Sequence, residues 1–133
     1  MIAAGLALQG ALNARLRAGA PSLGQRVHDA PPQGVAFPWL SLGETQTLDD
    51  GAGCVDAWEV YATLHLWSRG EGVREAKSCA GEVEDALRDW TPDLTGAGLR
   101  CVDLQHRETR VLRDPDGVTT HAVITLRALI DAL

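Results

Sequence analysis

The chain has 133 residues, 45% hydrophobic and 23% charged, with a formal net charge of −6. These values fit one ordinary domain spanning 1–133, able to bury roughly two-thirds of its unfolded surface, and argue against disorder. The charge does not segregate: up to Leu66 there are three Arg against six acids, and beyond it nine basic residues against twelve, so nucleic-acid binding is disfavoured as a primary role.

In chain order, a helix is predicted from about Ala3 to Ala18, with Leu8, Leu12 and Leu16 stacked on one face. Its first residues are apolar like a signal core. No basic segment precedes them, however, and Asn13, Arg15 and Arg17 follow, so helix is the better reading. Gly19 and Pro21 stop it. A short strand near Arg26–His28 and an irregular Pro31-Pro32-Gln33-Gly34 connection come next. Pro38 restricts Phe37 to extended geometry before a strand at Trp39–Thr45. The segment Thr47 to Gly53 contains Asp49, Asp50, Gly51 and Gly53 and offers no side chain to anchor a core. It reads as a mobile hairpin loop.

A strand from about Asp56 to Trp67 follows. Its even positions Trp58, Val60, Ala62, Leu64 and Leu66 face the core, and Glu59, Tyr61, Thr63, His65 and Trp67 form a semi-polar face. A second helix, about Gly72 to Asp89, carries the stripe Ala76, Ala80, Val83, Leu87 and Trp90. Ser68 and Glu71 fit a capping box before it, and Glu84 with Arg88 an i, i+4 pair within it. Strands at about Leu99–Gln105 and Arg107–Asp114 lead to the Asp114-Pro115-Asp116-Gly117 turn. A last strand runs from Val118 to about Ile130. The expected order is α-β-β-β-α-β-β-β, an α+β fold with a mostly antiparallel sheet and two helices on one face.

Signals for chemistry are weak. His28, His65, His106 and His121 show no paired ligand spacing, and a catalytic base needs a positioned partner. Cys54, Cys79 and Cys101 lie far apart without a C-x-x-C pair, which favours reduced thiols made in a cytoplasm over a disulfide or metal site. Ser22, Ser41 and Ser78 lack a nucleophile-elbow context. Gly96-Ala97-Gly98 precedes a strand and is a turn, not a phosphate loop. Asp114 and Asp116 lack the other ligands of a calcium loop. No apolar run reaches the roughly 18–20 residues of a membrane span. No catalytic residue, metal or cofactor is expected. Two features exceed what a solitary domain needs: the aromatics Tyr61 and Trp67 beside His65, and the charged run Arg107, Glu108, Arg110, Arg113 and Asp114. Both suit a subunit contact, but a third packed layer would also cover the aromatics, and on the residues alone an ordinary solvated strand face is the better reading of the charges.

The order of these segments resembles the tail-completion, or tail-terminator, family of long-tailed bacteriophages and gene transfer agents. The resemblance rests on an opening helix and the P-x-G-x-x-x-P stretch from Pro32 through Pro38. It continues with a long strand ending in His65-Leu66-Trp67-Ser68, an Ala- and Glu-rich helix, and the hairpin from Arg110 to Gly117. It covers nearly the whole chain. It implies a non-enzymatic virion protein forming a ring, hexameric by family pattern, that caps the head-proximal end of the tail tube. Such a ring stops tube growth and joins tail to head. The implied partners are further copies of the chain, the major tail tube protein and a head-completion or connector protein. DNA would only pass through the lumen, with no membrane involved, in a particle assembled in the bacterial cytoplasm. Tyr61, His65, Trp67, Arg107, Arg110, Arg113 and Asp114 are then the candidate interface, and Asp49, Asp50, Gly51 and Gly53 a candidate lumen-facing loop. The competing readings are a head-completion adaptor or stopper, a small-molecule-binding cytoplasmic α+β domain and, remotely, a small hydrolase.

Overall fold

In the computed structural model, which describes residues 2–133, helix α1 (Ala4–Gly19) opens the chain. Leu8, Leu12 and Leu16 are at most 1% exposed, so the i, i+4, i+8 stripe is the buried face. Ala20 caps the helix and Pro21 begins a single 3₁₀ turn, since proline cannot continue an α-helix. Strands β1 (Val27–His28), β2 (Trp39–Asp49) and β3 (Ala57–Ser68) follow. Then come helix α2 (Arg74–Leu87) and strands β4 (Leu99–Arg113) and β5 (Thr120–Ala132).

The strands form one sheet in the order β1-β2-β3-β5-β4, antiparallel except for the short parallel β1–β2 pair. Both helices pack on one face, which makes the α+β arrangement expected from the pattern. The core between the layers joins Leu8, Leu12 and Leu16 to Val60, Leu64 and Leu66 of β3 and to Ala122, Ile124, Leu126, Ala128 and Ile130 of β5. Arg15 Nε donates to the Ala86 carbonyl at 2.7 Å, tying α1 to α2.

Several local features differ from expectation. The two strands anticipated around His106 are one continuous strand, β4, so the order is α-β-β-β-α-β-β. Its register shifts between Cys101 and Asp103 and again between His106 and Glu108. Each bulge inserts one residue and swaps which alternate side chains face the core, without ending the ladder. That phase change looks like a chain break in sequence. Strand β2 runs on to Asp49, so Asp49 closes a strand and the loop proper begins at Asp50. Within it Ala52 and Val55 bridge, and the Gly51 amide donates to Asp49 Oδ1. The capping box is absent: Val73 precedes α2 without a side-chain cap, and Ser68 Oγ instead donates to Glu75 Oε1 at 2.6 Å. Arg88 pairs with Asp85, while Glu84 turns to Thr109 and His106 on β4.

Candidate functional site

The helices cover one face of the sheet. The other face is bare and carries the side chains that the core does not use. Because residues opposite one another in a ladder share a face, the register lays them out in rows. Trp39, Trp67, His121 and Leu112 form the first row; Ser41, His65, Val123 and Arg110 the second; Gln46, Tyr61, Arg127 and Gln105 a later one.

The first two rows hold a compact cluster. Trp67 stacks on His121 with centroids 3.9 Å apart and planes within 12°, and Trp39 stacks on Trp67 at 6.2 Å. His65 Nδ1 and His121 Nε2 share a hydrogen bond of 2.7 Å, and His65 Nε2 meets Glu44 Oε1 at 2.6 Å. Glu44 reaches the ring because it sits in the bulge of β2, where the register slips between Leu42 and Thr45. His65 lies over Gly43: a Cβ there would stand 2.6 Å from His65 Cδ2 and 2.8 Å from the Thr63 carbonyl oxygen. The hydrogen bond from His65 holds the Glu44 carboxyl below its ordinary 4.5. Burial, then the neighbouring His65, pushes His121 below the ordinary 6.5 of an imidazole. The Trp67 Nε1–H is buried without an acceptor among the described residues. Farther along the face Arg127 donates to Glu59 Oε2 at 2.5 Å, and Arg110 Nε meets Glu108 at 3.0 Å.

The anticipated interface residues therefore divide. Tyr61, His65, Trp67 and Arg110 share the bare face. Arg113 stands opposite Thr120, whose side chain is buried on the helix side and donates to the Gly72 carbonyl, so Arg113 leaves from the other face. Arg107 occupies the second bulge of β4 and donates to Gln105 Oε1, and the Asp114 amide donates to the Thr119 carbonyl at the turn. Asp116 accepts from the amides of Val118 and Thr119, which fixes that turn. Sequence reasoning missed Glu44, His121 and Trp39 as members of the cluster. Even-odd alternation along each strand takes His65 and His121 off the core, but their adjacency needs the β3–β5 register.

The cluster offers hydrogen bonding and stacking; Ser41 lies opposite His65 in its second row, but among the described residues His65 bonds to His121 and Glu44 and not to that hydroxyl. Among the described residues no group of three or more His, Cys, Asp or Glu is placed to hold a metal ion. None of their helices is long and apolar enough to cross a membrane.

Comparison with known proteins gives a consistent picture. Residues 7–131 match the family model described as "Tail completion protein gp17". In structure, the chain is similar to one from the virion of a native gene transfer agent particle. The TM-score is 0.85 with 25% identity, covering 99% of this chain and 100% of that one. It is also similar in fold to the gp17 protein of bacteriophage SPP1, with a TM-score of 0.61, 23% identity, and coverage of 94% and 89%. Among curated proteins none matches in sequence.

Proposed function

This chain belongs to the tail completion protein gp17 family, and from that membership we propose that it works as a ring at the head-proximal end of a tail tube. In this reading it is a structural protein of a phage-like particle. It ends tube polymerisation, meets the major tail tube protein on one side and a head-completion or connector protein on the other, and lets DNA pass without holding it. The observation that carries the reading is the end-to-end likeness to a chain of a gene transfer agent virion. The family match favours this tail role over a head-completion adaptor.

A ring assigns uses to the surfaces. A closed ring needs heterologous contacts, one patch meeting a different patch on the neighbour. The bare sheet face with Tyr61, His65, Trp67 and Arg110 would supply one side. Arg107, Arg113 and Asp114 along the β4–β5 hairpin would supply another. Asp50, Gly51 and Gly53, with Asp49 at their base, would face the lumen, where carboxylates repel the DNA backbone.

The test is depletion of the protein from producing cells, read by electron microscopy. Tails of uncontrolled length unattached to heads are expected, and tails of normal length joined to heads would refute the proposal. The native mass of the purified chain reads ring size directly. Reversing Arg110→Glu and Arg113→Glu one at a time then separates the two faces. Loss of joined particles with R110E alone places the contact on the bare face, whereas normal particles with both refute the interface assignment.

A further inference from the structure

We propose that Glu44, His65 and His121 form a proton-operated clasp across β2, β3 and β5, one that closes with zero or one added proton and opens with two. The argument starts from atom positions. Glu44 accepts a hydrogen bond from His65 Nε2–H at 2.6 Å, which leaves Nδ1 of a neutral His65 bare. His121 Nε2–H then donates to that nitrogen across 2.7 Å, and the chain of hydrogen bonds is complete. One added proton is equally well housed. His65 becomes an imidazolium donating from both nitrogens, and His121 takes the tautomer with Nε2 bare. A second proton has no such arrangement. Both rings would present N–H at the same 2.7 Å contact, donor against donor and cation against cation. The contact must open.

The surroundings decide what opens with it. His121 is held flat against Trp67 at 3.9 Å, and His65 stacks on the same indole at 6.3 Å. Separating the rings therefore disturbs the first row of the bare face, where Trp39 lies on Trp67. Every neighbouring element contributes a charge to His121. Glu44 from β2 and Asp114 from the turn favour its proton, while His65 from β3 and Arg110 from β4 oppose it. Burial also opposes it and is the largest influence. His121 is thus held below its ordinary 6.5, so the device senses acidification. If the bare face is a subunit contact, as proposed above, the same proton loosens that contact. The clasp itself is a property of one chain and does not depend on that reading.

The experiment is a histidine ¹⁵N NMR titration of the full chain from pH 8.5 to 4.5, following the His65, His121 and Trp67 side chains. His65 and His121 are expected to report two shared steps, each sensed by both rings. The Trp67 indole resonance should move only with the second. His65→Gln should reduce the His121 curve to one step, and Glu44→Gln should move the first step to lower pH. Independent single steps for the two rings in the unsubstituted chain would overturn the clasp, whatever the variants do. A parallel measurement of native mass against pH reads the ring. Two shared steps with a pH-independent mass would keep the clasp and remove its link to assembly.

Discussion

Two glycine-to-alanine substitutions should move stability in opposite directions. Gly43 lies in the β2 bulge without a positive φ, so its lack of a side chain serves space and not backbone freedom. An added Cβ would stand 2.6 Å from His65 Cδ2, 2.8 Å from the Thr63 carbonyl and 2.9 Å from His65 Nε2. The ring can swing away only by breaking the Glu44 and His121 contacts, and the carbonyl belongs to β3 backbone held by its pairing with β5. Overpacking of this kind costs about 1–3 kcal/mol. Relief of glycine's unfolded-state entropy returns about 0.5–1 kcal/mol. The net loss is about 1–2 kcal/mol. Gly10, by contrast, is in the middle of α1 with nothing within 4 Å of its would-be Cβ. Alanine there should stabilise by about 1 kcal/mol through helix propensity alone. At roughly 2.1 cal/mol/K per residue, 133 residues have an unfolding entropy near 0.28 kcal/mol/K, so 1 kcal/mol is worth about 3.6 °C. Thermal unfolding by circular dichroism, at one fixed protein concentration, should show Gly43→Ala lower in Tm by about 4–7 °C and Gly10→Ala higher by about 3–4 °C. A Gly43→Ala protein as stable as the parent would mean that His65 is not seated over this residue. The geometry of the cluster would then be wrong.

Three further outcomes are expected. Cys54 is exposed, whereas burial raises the Cys79 thiol and pushes Cys101 up to about 11; a thiol reagent at pH 8 should label one cysteine per folded chain and three in denaturant, and rapid native labelling of more than one would refute the packing. The Glu44, Asp93, Asp116 and Asp131 carboxyls are held below their ordinary values, chiefly by hydrogen bonds from His65, Thr95, Thr119 and Arg100. Their contribution is therefore full above the ordinary values of 4.5 and 3.8 and lost as pH falls through the lower folded ones; the urea midpoint should decline from about pH 5 downward, and a flat profile to pH 3 would refute the assignment. Hydrogen exchange in the free chain should be fast at Gly53 and Cys54 and slower at Asp50, Ala52 and Val55, whose amides donate to the carbonyls of Ala57, Val55 and Ala52; uniform strong protection would exclude a mobile tip.

The elements that the sequence made legible are those in which one face is buried along its whole length. In β3 five alternate apolar residues, Trp58 to Leu66, met an uninterrupted ladder with β5, and in α1 three leucines met one continuous core. Strand β4 defeated the same reasoning because its helix-side positions change phase twice. Leu99 and Cys101 take that side, then Leu104 and His106, then Thr109 and Val111, each switch absorbed by a bulge. Bulges depend on the partner strand and leave no local mark. The end of β2 was hidden for a related reason: Glu44 to Asp49 are exposed, so no burial signal extends the strand, and only pairing with β3 does.

The candidate site shows the same division more sharply. Which face a side chain takes is a local property, readable by parity wherever no bulge intervenes. Arg110 and Arg113 are three residues apart on an unbulged stretch, and an odd spacing in a strand places two side chains on opposite faces. With the register known to run unbroken there, parity separates them, and they are not one charged ridge. Which side chains touch is not local. His65 and His121 are 56 residues apart, and Glu44 joins them only because its strand carries an extra residue at that level. A face assembled from β2, β3, β5 and β4 leaves only the parity of each strand in the sequence. Contacts across it follow from topology, which is why the cluster could be found only once the register was known.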